Sequence, residues 1–198
     1  MDAPRNRDQQ PPTTEELFAR SGADREGAFG DLYRRVAPAV YAWAALHLHA
    51  PLRAQIDPED VLQEAACRAY ERFDTYDSDL GDFRGWLFGF ARNVLYQAMD
   101  RLRSTDALQP SRLNSLPDTA TSITSRIARD EGVATFIEMI GKLSEEDRRL
   151  VSYRGLEGLS HERVGQLMGL SPDAVMQRWS RLRSRLREQR LVTDYFAA

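Results

Sequence analysis

The chain has 198 residues, 27 of them basic and 30 acidic, with a net charge of −3 and 42% hydrophobic residues. A chain of this length forms one or two small domains. It holds no run near the ~18 apolar residues of a membrane span, and its single cysteine, Cys67, excludes an internal disulfide or a cysteine-rich zinc site.

The N-terminus MDAPRNRDQQPPTT has no apolar segment behind its charges, so the sequence predicts no signal peptide and a cytoplasmic location. Residues 1–13 are polar and proline-rich, a composition that predicts disorder. Thr14 can cap a short helix through Arg20. From Arg25 to about Leu48, the spacing of Phe29, Leu32, Tyr33, Val36, Val40, Trp43 and Ala44 predicts a longer helix, which Pro38 should kink or restart. His47 and His49 are two apart and would point to different sides of a helix, a poor metal pair.

Residues 57–79 hold eight acidic side chains against Arg68 and Arg72, a net charge of −6. Asp57 as N-cap and Pro58 at the first helical position predict a clean helix start. The inward side of that helix is Leu62, Ala65, Ala66, Ala69 and Phe73, and its acidic outer side suits a basic protein surface and repels DNA. A turn, Thr75 to Asp82, then leads into a second helix capped by Asp82. That helix is aromatic and then basic, with a net charge of +3 over residues 84–103. Phe83, Trp86, Leu87, Phe90, Ala91, Val94, Leu95, Ala98 and Leu102 make one predicted buried stripe. Phe88, Arg92, Asn93, Tyr96 and Gln97 fall largely off it, and cations beside aromatic rings suit unpaired nucleic acid.

Residues 104–125 carry nine serines or threonines and two prolines without a sustained apolar period, which predicts a flexible linker. Fully extended, such a linker reaches roughly 70 to 75 Å. Beyond it, Ile127, Val133, Phe136, Ile137, Ile140 and Leu143 predict one helix, and Ser144 caps the next. A short helix from Ser160, a turn at Gly169 and a helix capped by Ser171 with Pro172 at its first position form a helix-turn-helix. Val175, Trp179, Leu182 and Leu186 are the inward stripe of the last helix, and residues 171–190 carry a net charge of +4. The end of the chain, Asp194 to Ala198, reads as a frayed tail. No Gly-rich phosphate loop, nucleophile with a base partner or metal-ligand cluster is visible, so neither an enzyme nor a cofactor is expected.

The strings Asp60-Val-Leu-Gln63-Glu64, Phe83-Arg-Gly-Trp86-Leu87 and Ala91-Arg92-Asn93 resemble region 2 of the extracytoplasmic-function sigma factors, the promoter-recognition subunits of bacterial RNA polymerase. The helix-turn-helix resembles region 4 of the same family. The resemblance implies an all-α fold of two small helical domains, residues 14–103 and 126–190, joined by the linker 104–125 and followed by a tail 191–198. It implies polymerase core as partner, with Asp60, Gln63 and Glu64 docking on the clamp helices of the largest subunit and a further contact on the flap of the second subunit.

Promoter DNA is the second implied partner. At the −10 element the resemblance assigns Tyr76, Asp77, Ser78, Asp79 and Leu80 of the turn, where a flipped base would be held, with Phe83, Arg84, Trp86, Phe88, Arg92, Asn93, Tyr96 and Gln97. At the −35 element it assigns Ala174, Gln177, Arg178, Arg181, Arg183 and Arg185, with Gln177 and Arg178 facing base edges and the last three arginines on phosphates, and the charge of Arg163 adds it as a further phosphate contact. Four positions depart from the family pattern: Ala66 replaces the usual large apolar residue, Met176 the common lysine, Ala174 the common threonine, and Arg163 the usual acid. Many members are sequestered by an anti-sigma factor, and nothing in these residues encodes such a partner. The alternative is a helix-turn-helix repressor or activator that works without polymerase.

Overall fold

The computed structural model describes residues 24–104, 116–188 and 195–196, and the described residues contain helices and turns with no strand. The predicted disorder of residues 1–13, the helix from Thr14 to Arg20, half of the predicted linker and most of the predicted tail lie outside the described residues. Helix α1 (Arg25–His47) begins at Asp24, whose carboxylate accepts from the Gly27 amide at 2.8 Å. Phe29, Leu32, Tyr33, Val36, Val40, Trp43 and Ala44 are buried as expected, and so are Ala28, Ala37, Ala39 and Ala42 on the flanks of that stripe. The alanines let neighbours approach from several directions, which makes α1 the central helix. Pro38 sits inside α1 without ending it, so the expected restart does not occur. Arg53 of the short α2 (Ala50–Arg53) closes the end of α1 by donating to the carbonyls of Leu48 and Ala45, both at 2.7 Å.

Helix α3 (Pro58–Glu71) starts at a capping box in which Asp57 accepts from the Asp60 amide at 2.9 Å and Asp60 accepts from the Asp57 amide at 3.0 Å. A 3₁₀ turn (Phe73–Thr75) follows, then the loop to α4 (Phe83–Ser104), where Asp82 accepts from the Gly85 amide at 2.7 Å. Rings from three elements meet here. Phe29 lies 5.3 Å from Phe73 and 5.8 Å from Phe83, edge-on to both, and Tyr76 lies 5.7 Å from Phe83 and 5.2 Å from Trp86. Edge-to-face contacts of this kind add to area burial and set the mutual angles of α1, α3 and α4.

The predicted linker is corrected at its C-terminal end, because Asp118–Ala128 is helix α5, seated on α1 and α3. It buries Ala120, Ile123 and Ile127, and the Thr124 hydroxyl meets the Tyr33 hydroxyl at 2.7 Å in the core. Burial pushes the Tyr33 phenol well above the ordinary tyrosine range, although the Thr124 hydrogen bond acts the other way. The single helix expected across residues 127–143 is also corrected. Asp130 accepts from the Val133 amide at 3.0 Å and starts a separate helix, α6 (Glu131–Gly141).

The rest of the second half is α7 (Glu145–Leu150), a π-helical turn (Val151–Leu156), α8 (His161–Met168) and α9 (Pro172–Glu188). Ser144, Ser160 and Ser171 each accept from the backbone amide three residues on, at 3.2 Å, as their caps predicted. The frayed tail is corrected at Tyr195 and Phe196: Phe196 is buried, 5.2 Å from Trp179 and 5.6 Å from Phe136. The turn between α8 and α9 depends on two glycines. Gly169 takes φ of 69°, and a Cβ on Gly165 would stand 2.6 Å from the Leu170 carbonyl oxygen. Gly165→Ala is expected to destabilise the chain by about 1–3 kcal/mol. Gly89→Ala, in the middle of α4 with open space around the added carbon, is expected to stabilise it by up to about 1 kcal/mol. Urea denaturation of the two variants measures both.

Candidate nucleic-acid and polymerase interfaces

The acidic helix presents its three expected polymerase contacts unequally. Asp60 is exposed, but one carboxylate oxygen is committed to the capping box. Glu64 accepts from Arg68 Nε at 2.8 Å, and Arg68 Nη2 donates to Gln97 Oε1 of α4 at 2.9 Å. Glu64 thereby ties α3 to α4 through Arg68. Gln63 is half-buried on the same helix.

The expected −10 residues divide into three groups. Tyr76, Phe83 and Phe88 are buried, which corrects their expected place on a DNA surface. Tyr76 donates from its hydroxyl to the Gly81 carbonyl at 3.2 Å and shapes the loop from inside. Phe88 is 0% exposed and stands edge-on to Trp43 at 5.7 Å, so α4 buries a wider arc than the predicted stripe. Trp86 and Phe90 are half-buried and stack edge-on at 5.0 Å, while Leu102 of the predicted stripe is 37% exposed. A second group is accessible. Asp77 accepts from the Asp79 amide at 2.9 Å and folds the loop tip, where Ser78 is half-buried and Leu80 is 87% exposed. Asn93, Tyr96 and Gln97 are exposed along α4, Tyr96 by 59%.

Arg84 and Arg92 form the third group, and both reach into the second half of the chain. Arg84 Nη1 donates to the Leu156 carbonyl at 2.7 Å and to the Tyr195 carbonyl at 3.0 Å. Burial lowers its pKa from the usual arginine value, and Asp82 offsets part of that. Arg92 Nη1 donates to Glu157 Oε2 at 2.7 Å.

On the helix-turn-helix, Gln177, Arg181 and Arg185 are exposed along α9, with Met176 beside them and Ala174 half-buried. Arg178 is paired with Glu146 and lies 3.5 Å from Asp147, while Arg185 Nη2 lies 2.7 Å from Asp147 Oδ2. The hydrogen bond that Arg178 donates to Glu146 raises the arginine's pKa. Arg163 is exposed on α8 and donates to Gln166 Oε1 at 3.1 Å. Arg183 is corrected as a surface anchor: it is half-buried, and its Nε is buried with no hydrogen-bond partner among the described residues. Sequence reasoning missed Glu157, Trp43 as a polar group, and the packed Tyr195 and Phe196. The Gly155-Leu-Glu-Gly158 string, an acid set between glycines, was the available signal for Glu157.

Comparison with known proteins places this geometry. Residues 32–106 match the family Sigma-70 region 2, and residues 134–186 match Sigma-70, region 4. The chain is similar to RNA polymerase sigma factor NccH of Alcaligenes xylosoxydans xylosoxydans, at 27% identity over 88% of this chain and 94% of NccH. It is similar to ECF RNA polymerase sigma factor ShbA of Streptomyces griseus subsp. griseus, at 27% identity over 79% of this chain and 84% of ShbA. With RNA polymerase sigma factor CarQ of Myxococcus xanthus it shares 30% identity over 85% of this chain and 91% of CarQ. The chain belongs to the ECF sigma factors of RNA polymerase.

In this sigma factor the region 2 match spans most of α1 through α4, and the region 4 match spans most of α6 through α9. Helix α5 lies outside both matches yet is packed on region 2. Both regions in order in one chain disfavour a repressor that reads DNA through the helix-turn-helix alone. Among the described residues no helix is long and apolar enough to cross a membrane. The divided −10 set makes a direct test. Phe88→Ala should cost about 3–5 kcal/mol of stability, and Tyr96→Ala should stay within about 0.5 kcal/mol of wild type while weakening binding of single-stranded DNA. Thermal denaturation and fluorescence anisotropy measure the two effects.

Proposed function

We propose that this sigma factor docks on polymerase core through the outer side of α3, anchors duplex promoter DNA with α9, and holds the melted strand on the loop and exposed side of α4. The observation that carries the reading is the polarity of charge along the helices: −6 over residues 57–79, +3 over 84–103 and +4 over 171–190. Oppositely charged surfaces on one small chain suit a subunit that joins a protein to DNA. At the −35 element, Gln177 is the base-edge reader, with Arg178 beside it once its acidic partners are exchanged for DNA. Arg181, Arg185 and Arg163 supply phosphate contacts. At the −10 element, Leu80, Asn93, Tyr96 and Gln97 are the exposed readers and Tyr96 is the stacking ring.

Gln63 is the central core contact, with Asp60 at its side, because Glu64 is held by Arg68. The finer partners are the clamp helices of the largest subunit for α3 and the flap of the second subunit for the region 4 half. The two working units are α1–α5 and α6–α9, and the compartment is the cytoplasm. The deciding experiment is promoter-directed transcription by bacterial core polymerase with and without the protein. Wild type should start transcripts from a defined promoter, and Gln63→Arg should weaken association with core by at least about tenfold, or ~1.4 kcal/mol, with circular dichroism unchanged. A chain that never associates with core yet binds duplex DNA alone would overturn the reading in favour of a repressor.

A further inference from the structure

Glu157 is the one buried carboxylate among the described residues, its side chain 4% exposed. A carboxylate in that position must be compensated, because an unpaired buried charge is strongly unfavourable. The compensation comes from the other half of the molecule. Trp43 Nε1 of α1 donates to Oε1 at 3.0 Å and Arg92 Nη1 of α4 donates to Oε2 at 2.7 Å, with the Ser152 hydroxyl at 3.4 Å as the sole local donor. The backbone around it is shaped for this contact. The turn Val151–Leu156 is π-helical, with the Glu157 amide donating back to the Ser152 carbonyl at 2.9 Å, and Gly158 at φ 74° turns the chain away. Leu156 ends that turn, and its carbonyl, like those at any helix end, is left to accept Arg84. A Cβ on Gly155 would stand 2.8 Å from the Trp179 ring and 2.9 Å from Phe196, so glycine lets this turn sit on the region 4 core.

Arg84 and Arg92, both on α4, are thus consumed by Leu156 and Glu157 of region 4, with the Tyr195 carbonyl as a second acceptor for Arg84. On α9, Arg178 and Arg185 are consumed by Glu146 and Asp147 of α7. We infer that the observed arrangement is a closed, self-masked state of the sigma factor, latched by Glu157, in which region 4 covers the arginine edge of the region 2 DNA face. The inference rests on the reading that Arg84 and Arg92 meet DNA. The latch stands in for phosphate: a carboxylate and two carbonyls occupy the guanidinium groups that a nucleic-acid backbone would otherwise take. Opening frees Arg92 and the Leu156 bond of Arg84 together, because Leu156 and Glu157 are adjacent, and full release of Arg84 also needs Tyr195 to leave.

The test uses the full chain without polymerase. Glu157→Gln removes the ion pair and keeps the shape, and Glu157→Ala removes the carboxylate's hydrogen bonds to Trp43, Arg92 and Ser152. Glu138→Gln, on the exposed side of α6, makes the same change in charge away from the latch. Small-angle X-ray scattering reads the opening, and anisotropy of a fluorescein-labelled 20-nucleotide oligothymidylate reads the unmasking. Glu157→Ala should raise the radius of gyration by several Å over wild type at unchanged helix content. It should also tighten oligonucleotide binding about tenfold, as expected if roughly one chain in ten is open before the change. Glu157→Gln should fall between Glu157→Ala and wild type, and Glu138→Gln should stay within about twofold of wild type. An unchanged radius in both Glu157 variants overturns the latch. An opened chain that binds no better than Glu138→Gln overturns the masking. Transcription by core polymerase with the wild-type chain reads the proposed function separately: failure there with opening intact overturns the function and leaves the latch standing.

Discussion

Everything in this molecule is arranged around a helix that has almost no outward face. Helix α1 buries large side chains on one stripe and alanines on its flanks, so helices from both halves of the chain can approach its backbone closely. Phe29 joins it to the end of α3 and the start of α4 through ring contacts, Tyr33 joins it to α5 through Thr124, and Trp43 joins it to region 4 through Glu157. Each junction pairs an apolar ring with either another ring or a single satisfied polar group. Packing of this kind is specific because a buried hydroxyl or indole N–H without its partner costs about 1–3 kcal/mol. The result is one continuous core across two regions that the family comparison recognises separately.

The charge pattern follows from that core. Region 2 sets its acids on α3 and its cations on α4, and Arg68 bridges the two through Glu64 and Gln97. Region 4 sets acids at the start of α7, where they also favour the helix N-terminus, and cations along α9. Opposite charges within each half then meet across short distances, and the arginines suited to DNA acquire carboxylate partners of their own. Exposed pairs such as Arg185 with Asp147 contribute at most about 1 kcal/mol each, so exchange for a phosphate is easy. Arg92 with Glu157 is different, because the acid is buried and a second donor shares it.

The sequence showed features that depend on local chemistry. Asp57, Asp82, Ser144, Ser160 and Ser171 cap the helices they were expected to cap, because a cap is decided by a side chain and an amide two or three residues away. The turn at Gly169 was legible for the same reason. Features decided by distant partners were not. Helix α5 reads as linker because Ala120, Ile123 and Ile127 are scattered among serines and threonines of weak helix propensity, and docking on α1 and α3 supplies what propensity lacks. Phe88 reads as surface because a period of 3.6 marks one stripe, whereas α4 is covered on a second side by Trp43. Phe196 reads as tail because nothing in five residues reveals that Trp179 and Phe136 leave a place for its ring.

Helix α5 also limits how the two halves can part. While it is seated, only Arg129 and Asp130 separate it from α6, a span of at most about 7 Å. Region 4 can then pivot about that joint but cannot travel. If α5 leaves its seat, the 26 residues from Thr105 to Asp130 become available as tether, roughly 85 to 95 Å when fully extended. The composition of α5 suits such a release. Its N-cap is Pro117, with no side chain closing the first turn, and five of its eleven residues are serine or threonine. What holds it is Ala120, Ile123 and Ile127 with three side-chain hydrogen bonds, Thr124 to Tyr33, Thr119 to Glu26 and Ser125 to Glu59. The reach of region 4 is thus set by whether this one helix is seated.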